Sequence, residues 1–276
     1  MEIEHAVALH YAHGSLEAAI LKALAAAGKD VNRLTPKDLA PVDEFHVGGR
    51  LATVAFAEQF DPKPGMRLLD IGCGLGGAAR YFASERGCQV TGIDLSHEYV
   101  AVANALAALV GLDRQVSCRQ GSALELPFAP GSFDAAYMFH VGMNIEDKSR
   151  LFREVRRVLV PSGVFGIYDV MRLAPGDLHY PVPWTSSGEA SFVADAATYR
   201  QLLEAEGFDV LKERNRRDFA LEVFAQMRAR GAAGAPAPLG LHIVMGANAA
   251  QKVKNMIGDI SAGLIAPTEM ICRVSV

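Results

Sequence analysis

Several features that would assign a protein to a class at once are missing from this sequence. Its 276 residues carry a net charge of −4 without a block of basic residues, so nothing indicates nucleic acid or an anionic membrane surface as a partner. The 4 cysteines show neither Cys-x-x-Cys spacing nor nearby histidine pairs, and we therefore expect no metal site. No run of residues is long and apolar enough to span a bilayer, and the first residues contain no apolar signal core, so we expect a cytoplasmic protein.

What the sequence does contain is a regular alternation of strand and helix patterns. Hydrophobic residues make up 50% of the chain, which is enough for a sizeable core. The predicted strands are 66–71, 89–94, 115–120, 133–139, 163–170, 208–215 and 269–274, and the predicted helices include 76–86, 97–111 and 195–206. This alternation predicts an α/β fold with a Rossmann-like sheet, mostly parallel, and helices on both faces.

The regions outside this alternation predict additions to the sheet. Apolar residues at helical spacing indicate that residues 1–60 form an N-terminal helical cap. We assign residues 61–276 to the main domain, with one insertion at about 172–194, which is rich in Pro, Gly and Ser. A second insertion is expected at 218–262, and its later part, 239–262, has the pattern of a helix.

The most informative segment is the predicted strand and glycine-rich turn at 68–77. Gly72, Gly74 and Gly76 allow a ligand to approach the backbone, because no Cβ atom stands in the way. The amides that follow open a helix, where unpaired N–H groups face the ligand. Asp70 would repel a pyrophosphate but can receive an ammonium group. The segment therefore favours a nucleoside that carries an amino acid.

A second carboxylate follows at the end of the next predicted strand. Asp94 lies 22 residues after Gly72, where an acid accepts hydrogen bonds from a ribose diol in Rossmann-like folds. NAD enzymes and S-adenosylmethionine enzymes both use such an acid, and Gly72, Gly74 and Gly77 also satisfy the dinucleotide pattern. Asp70 decides between the two in favour of S-adenosylmethionine.

These motifs resemble those of the class I S-adenosylmethionine-dependent methyltransferases. Residues 68–83 (LLDIGCGLGGAARYFA) resemble the first motif of that family, and 94–96 resemble the second. Residues 121–128 resemble the segment that closes over adenine, and 154–163 resemble the helix and turn before strand five. The resemblance spans roughly residues 60–172. It implies a sheet of seven strands with an antiparallel last strand, and S-adenosyl-L-methionine as the cofactor.

The resemblance and the rule that ligands bind beyond the carboxyl ends of the strands give the expected cofactor site. Asp94 is expected on the ribose hydroxyls, Leu95 and Ser122 at the adenine, and Asp70 at the ammonium group. Many relatives carry an acid where this chain has Ser122, although a serine hydroxyl can still accept a hydrogen bond. The expected cofactor-binding residues are Asp70, Gly72, Gly74, Gly76, Asp94, Leu95, Gly121, Ser122, Ala123, Leu124 and His140.

Three shorter segments are similar to the sarcosine/dimethylglycine methyltransferases and their relatives. They are residues 43–49, 143–148 and 181–184. This likeness makes N-methylation of a glycine-derived amine the leading prediction, with a small-molecule methyl acceptor as the partner. The alternative is C- or O-methylation of a quinone-like or other secondary metabolite. An NAD-dependent dehydrogenase and a non-catalytic cofactor binder rank below both, and the oligomeric state stays open, with a homodimer as one alternative.

Candidate residues for the chemistry follow the fourth predicted strand and the two added regions. His140 is the candidate catalytic residue, because an unperturbed pKa of roughly 6.5 suits acid–base work near neutrality. The alternative is that His140 only lines the cofactor pocket. Aromatic side chains suit a sulfonium or an alkylated amine through cation–π attraction, and Arg172 can pair an acceptor carboxylate. The expected acceptor-binding residues are Tyr11, His46, Met143, Asn144, Arg172, Tyr180, Trp184 and Phe192.

Overall fold

The computed structural model describes residues 2–10, 14–232, 237–246 and 248–275. Its centre is one sheet of 7 strands. The strands are β1 (Arg67–Ile71), β2 (Gln89–Asp94), β3 (Val116–Gln120), β4 (Phe133–Phe139), β5 (Leu159–Arg172), β6 (Phe208–Asn215) and β7 (Ile265–Val274). Their order across the sheet is β3-β2-β1-β4-β5-β7-β6. β7 runs antiparallel to both β5 and β6, whereas the other neighbouring strands are parallel. The predicted fold class is therefore confirmed.

Helices precede the sheet and cover its two faces. Those before β1 are α1 (Glu2–His10), α2 (Leu16–Ala26), α3 (Pro36–Asp43) and α4 (Gly49–Phe60). Those after it are α5 (Gly77–Arg86), α6 (His97–Leu109), α7 (Lys148–Val158), α8 (Ala196–Ala205), α9 (Arg217–Ala232), α10 (His242–Met245) and α11 (Ala249–Ser261). The division into a cap at 1–60 and a domain at 61–276 stays a prediction.

Alternating side chains of the central strands build two separate cores. Leu68 of β1 points to the face covered by α4 and α5, where it packs with Phe56 and Phe82. Leu69, the next residue, points to the opposite face and packs with Phe152 of α7 and Tyr199 of α8. Because both faces of the sheet are buried, the central strands are nearly continuous apolar runs.

Three predicted boundaries were wrong, each because of an interaction or a turn that the local pattern does not show. The predicted helix 239–262 is divided into α10 and α11, and Gly246 between them has a φ of 72°. β5 begins at Leu159 rather than 163, and β7 begins at Ile265 rather than 269. β7 pairs with β5 from Ile265 to Arg273, and Leu159 at the start of β5 pairs with Phe133 of β4, so long-range pairing extends both strands beyond their apolar runs.

The segment between β5 and α8 is fastened to α11. The backbone N–H and the Nδ1 atom of His179 lie 3.1 and 2.6 Å from the buried carboxylate of Asp259. Asn255 donates a hydrogen bond of 2.9 Å to the carbonyl of Pro181. These contacts hold the segment over the carboxyl ends of the central strands. Within the part of the chain that the structure describes, no helix has the length and apolarity needed to cross a membrane.

Candidate functional site

A cavity of about 320 Å³ opens at the carboxyl ends of β1, β2 and β4. Its floor is formed by the loops that follow these strands, and its roof is formed by α1, by Phe45 and His46 after α3, and by Trp184. Ligands of open α/β sheets bind in this position, and the volume lies in the range of small-molecule sites. The site therefore combines segments from most of the chain.

The glycine-rich turn presents its backbone to this cavity. Gly72 has a φ of 68°, and a Cβ atom at this residue would lie 2.4 Å from Cγ2 of Val141. Gly74 has a φ of 53° and open space where a Cβ atom would stand. The N–H groups of Gly72 and Cys73 donate to the carbonyl of Ile93 at 2.8 and 3.0 Å, which fixes the turn against β2. A ligand can thus lie directly on the turn.

A buried ion pair braces this turn from behind. Arg80 of α5 is fully buried and pairs with Asp43 at the end of α3. The same guanidinium donates to the carbonyls of Leu75 at 2.7 Å and Ala103 at 3.2 Å. Arg80 therefore connects the glycine-rich turn to α3 and α6.

The Asp70 side chain lines the cavity and can accept a further hydrogen bond. The residue is buried, and its Oδ2 atom has no hydrogen-bond partner within the described residues. Burial, with a smaller contribution from Asp94, raises the pKa of Asp70 to about 7, against the lowering effects of the Tyr137 hydroxyl and of Arg80. A buried carboxylate oxygen without a partner suits a cationic group of a ligand.

Asp94 holds the loop that follows β1 and the loop that follows β2. One carboxylate oxygen accepts from the N–H of Gly74 at 2.9 Å, and the other accepts from the N–H of Ser96 at 2.9 Å. Burial raises the pKa of Asp94, although the surrounding backbone N–H groups oppose this effect. A carboxylate has about four acceptor positions, so capacity remains for a diol.

At the far end of the cavity, the loop after β3 contacts α1. Leu95, Gly121, Ser122, Ala123 and Leu124 line this end. The Ser122 hydroxyl donates a hydrogen bond to the Glu4 carboxylate, and the N–H of Leu124 donates to the Ser122 oxygen at 3.0 Å. Glu4 was not predicted as a site residue, and no motif in the sequence could have found it.

Two neutral histidines stand at the middle of the cavity. His140 has a φ of 55°, and its buried Nε2 atom has no hydrogen-bond partner among the described residues. Burial lowers the pKa of His140 well below its usual value, and His46 adds to this effect. Burial also lowers the pKa of His46 to about 4. The Nε2 atom of His46 lies 3.0 Å from the Gly49 carbonyl, and the two rings are 6.0 Å apart.

The ionisable residues of the described cavity wall are carboxylic acids and histidines, together with Cys73 and Tyr99. The acids are Glu4, Asp43, Asp70, Asp94, Glu146 and Asp147, the last two at the exposed rim. Among the described residues that line the cavity there is no lysine and no arginine. The field of such a wall attracts cations and disfavours phosphates and carboxylates.

The structure brings most of the predicted site residues together. Of the predicted cofactor-binding residues, Gly76 alone is outside the described cavity wall, and it caps α5 with a φ of 76°. His46, Met143, Asn144 and Trp184 line the cavity, and Asn144 donates to the Trp184 carbonyl at 3.0 Å.

The other predicted acceptor residues lie elsewhere. Arg172 donates to the Gly176 carbonyl at 2.6 Å, and Tyr180 packs at the border of the cluster around Trp184. The N–H of Phe192 donates to the Met143 carbonyl at 2.8 Å. None of these three is among the described residues of the cavity wall. Tyr11 is outside the residues that the structure describes.

Comparisons with known proteins agree with this geometry. Residues 69–167 match the family described as a methyltransferase domain. Over 107 residues the chain is 38% identical to a sterol 24-C-methyltransferase of Gibberella zeae, a match that covers 39% of this chain and 28% of that protein. Methyltransferase GfsG of Streptomyces halstedii is 29% identical over 226 residues, which cover 81% of this chain and 79% of that one.

A solved structure extends the likeness to most of the fold. A protein of Galdieria sulphuraria, assigned as a sarcosine dimethylglycine methyltransferase, superposes with a TM-score of 0.64 and 22% identity. The superposition covers 82% of this chain and 85% of that one. At this identity the likeness shows the fold alone. The chain spans less than a third of the length of the first curated relatives that it matches.

Proposed function

We propose that this chain, which carries a methyltransferase domain of the class I S-adenosylmethionine-dependent type over residues 69–167, methylates a hydroxyl group of a small, uncharged and largely apolar molecule. The residue composition of the cavity wall supports this proposal. The described wall holds acids, neutral histidines and apolar side chains, but no lysine or arginine. It therefore suits a cationic cofactor and an acceptor without negative charge.

The residues present fit S-adenosylmethionine. The unpartnered Oδ2 atom of Asp70 suits the ammonium group, and Asp94 has acceptor capacity for the ribose hydroxyls. The exposed backbone at Gly74 leaves room for the methionine portion. When bound, this cofactor supplies an electrophilic methyl group on a sulfonium. NAD would instead place a pyrophosphate beside Asp70, which argues against a dehydrogenase.

A glycine-derived acceptor suits the cavity less well. Sarcosine and dimethylglycine carry a carboxylate, and the described cavity wall holds no lysine or arginine to pair it in addition to the carboxylate of the cofactor. Arg172 was the predicted partner, but its side chain donates to the Gly176 carbonyl, outside the described cavity wall. The wall thus favours the alternative prediction, a secondary metabolite, over the leading one.

His140 supplies the group that takes the acceptor's proton. As the O–CH₃ bond forms and the S–CH₃ bond breaks, the hydroxyl oxygen becomes strongly acidic, so a weak base is sufficient. The Nε2 atom of His140 accepts this proton, because the lowered pKa keeps the free imidazole neutral. Met143, Asn144 and Trp184 line the same cavity and would hold the acceptor beside the cofactor, and proximity of this kind is worth about 7–11 kcal/mol in favourable cases.

Acceptor pairs that differ only in charge test this proposal. The protein is incubated with S-adenosylmethionine labelled in the methyl group and with one of three kinds of acceptor: apolar phenols or alcohols that carry a methyl ester remote from the free hydroxyl, the matching free carboxylates, and sarcosine or dimethylglycine. We expect labelled methyl ethers from the uncharged hydroxyl compounds and none from the matching carboxylates. Transfer to sarcosine or dimethylglycine would overturn the acceptor class, while the cofactor assignment would stand.

Cofactor affinity is expected to rise with pH through about 7. Asp70, with its pKa raised to about 7, is neutral below that pH and cannot pair the ammonium group. Since only the ionised form binds well, S-adenosylhomocysteine should bind about tenfold more weakly at pH 6 than at pH 8. Titration calorimetry at both pH values measures the ratio. Asp70→Asn should bind weakly at both, and an affinity that falls from pH 6 to pH 8 would contradict the role of Asp70.

A further inference from the structure

Glu4 brings a carboxylate into the cavity from a part of the chain outside the matched domain. It lies in α1, and it contacts Ser122 although 118 residues separate the two. Both residues line the same end of the cavity, together with Leu95 and Ala123. Under the proposed function, this end holds the adenine ring. Hydrogen-bond chemistry therefore decides which group of the adenine ring Glu4 can contact.

Ser122 has little capacity left for the adenine amino group. Its hydrogen is donated to Glu4, and its oxygen already accepts from the N–H of Leu124 at 3.0 Å. A hydroxyl oxygen has two acceptor positions, so one remains. A carboxylate has about four, so Glu4 can accept from Ser122 and from a second donor at the same time. The adenine 6-amino group is such a donor.

We propose that Glu4 accepts a hydrogen bond from the adenine 6-amino group, so that α1 recognises the base of the cofactor as well as covering it. This inference rests on the proposed function, because it takes S-adenosylmethionine as the ligand. Ser122 holds the Glu4 carboxylate in place, and a hydrogen bond to a charged acceptor is stronger than one to a serine oxygen.

The placement of α1 supports this role. Ile3, Glu4, Val7 and Ala8 all line the cavity, as expected for one face of a helix. The chain just after α1 is anchored on α6, because the N–H groups of Gly14 and Leu16 donate to Glu98 at 2.9 and 3.1 Å. The chain after α1 is therefore fixed to α6, and α1 lies across the cavity. A cofactor beneath α1 adds contacts that hold α1 over the cavity.

A pair of ligands that differ at one position of the base tests the proposal. S-inosylhomocysteine carries a carbonyl oxygen where S-adenosylhomocysteine carries the 6-amino group. The wild-type protein should bind the adenosyl ligand about tenfold more tightly or better, because a carbonyl facing a carboxylate forms no hydrogen bond. In Glu4→Gln the side-chain amide can donate to the carbonyl, so this preference should shrink to within about threefold or reverse. Titration calorimetry measures all four affinities.

Glu17→Gln provides the matched control. Glu17 is an exposed carboxylate in the first turn of α2, outside the described cavity wall, and the substitution changes the net charge equally. Its preference for the adenosyl ligand should equal that of the wild type. An unchanged preference in Glu4→Gln would overturn the role of Glu4 and leave the proposed function intact. A wild-type protein that binds neither ligand would overturn both.

Amide hydrogen exchange provides a second readout. S-adenosylhomocysteine should slow exchange in residues 2–10 of the wild type, because binding shifts α1 towards its closed position. The inosyl ligand at equal saturation should slow it less. Equal protection by the two ligands would show that α1 does not recognise the base, which contradicts the proposal.

Discussion

His140→Asn is expected to lower kcat by about 10²–10⁴-fold, the range in which general bases act. Asparagine tolerates the left-handed backbone conformation that His140 adopts at φ 55°, so the loop should keep its shape. The substitution removes the unpartnered Nε2 atom that we assign to the acceptor's proton. The affinity for S-adenosylhomocysteine should stay within about threefold of the wild type, which separates loss of the base from loss of the cofactor.

A control and a pH profile complete this prediction. His97→Asn alters an exposed histidine at the start of α6, outside the described cavity wall, and should leave kcat unchanged. Because the lowered pKa keeps His140 neutral, the wild-type kcat should not fall as the pH is lowered from 8 to 6.5. A His140→Asn variant with wild-type kcat would show that no base acts at this position.

Arg80→Met is expected to lower the free energy of unfolding by about 3–5 kcal/mol, the usual effect of removing one member of a buried ion pair. The substitution leaves Asp43 buried without its cation, and it removes the hydrogen bonds to the carbonyls of Leu75 and Ala103. Chemical denaturation of the ligand-free protein measures the change. Since Arg80 braces the glycine-rich turn, cofactor affinity should fall as well.

Two further variants show whether burial causes this loss. Arg50→Met removes a pair with Glu85 at 2.9 Å that is partly exposed, and it should cost less than about 1 kcal/mol. Arg80→Met combined with Asp43→Leu removes both buried charges and should recover part of the stability. If Arg80→Met costs no more than Arg50→Met, the brace contributes little to folding.

The bounds of three strands could be predicted because local signals set them. β2, β4 and β6 have the predicted bounds, since apolar or β-branched residues there are followed by turn or helix signals. The start of β7 could not be predicted, because residues 265–268 become a strand by pairing with β5 and β6. The break at Gly246 depends on one residue with a positive φ, which a helical pattern does not reveal.

The clustering of the predicted cofactor-binding residues around one cavity could be predicted for a similar reason. The turn after β1 and the acid after β2 follow their strands directly, and the sheet places the carboxyl ends of these strands together. Glu4 and the pair of Arg80 with Asp43 lie in different elements, and their contacts depend on how α1 and α3 pack. The position of Arg172 relative to the cavity was likewise undetermined, because a residue at the end of a strand can turn to either side.

Titration calorimetry of the protein with S-adenosylhomocysteine and with NAD, each alone, distinguishes a methyltransferase site from a dinucleotide site. We expect micromolar binding of S-adenosylhomocysteine, because we assign Asp70 and Asp94 to its ammonium and ribose groups. We expect no detectable binding of NAD, whose pyrophosphate would meet an acidic wall. Tight binding of NAD without binding of S-adenosylhomocysteine would contradict these assignments and indicate a dinucleotide enzyme.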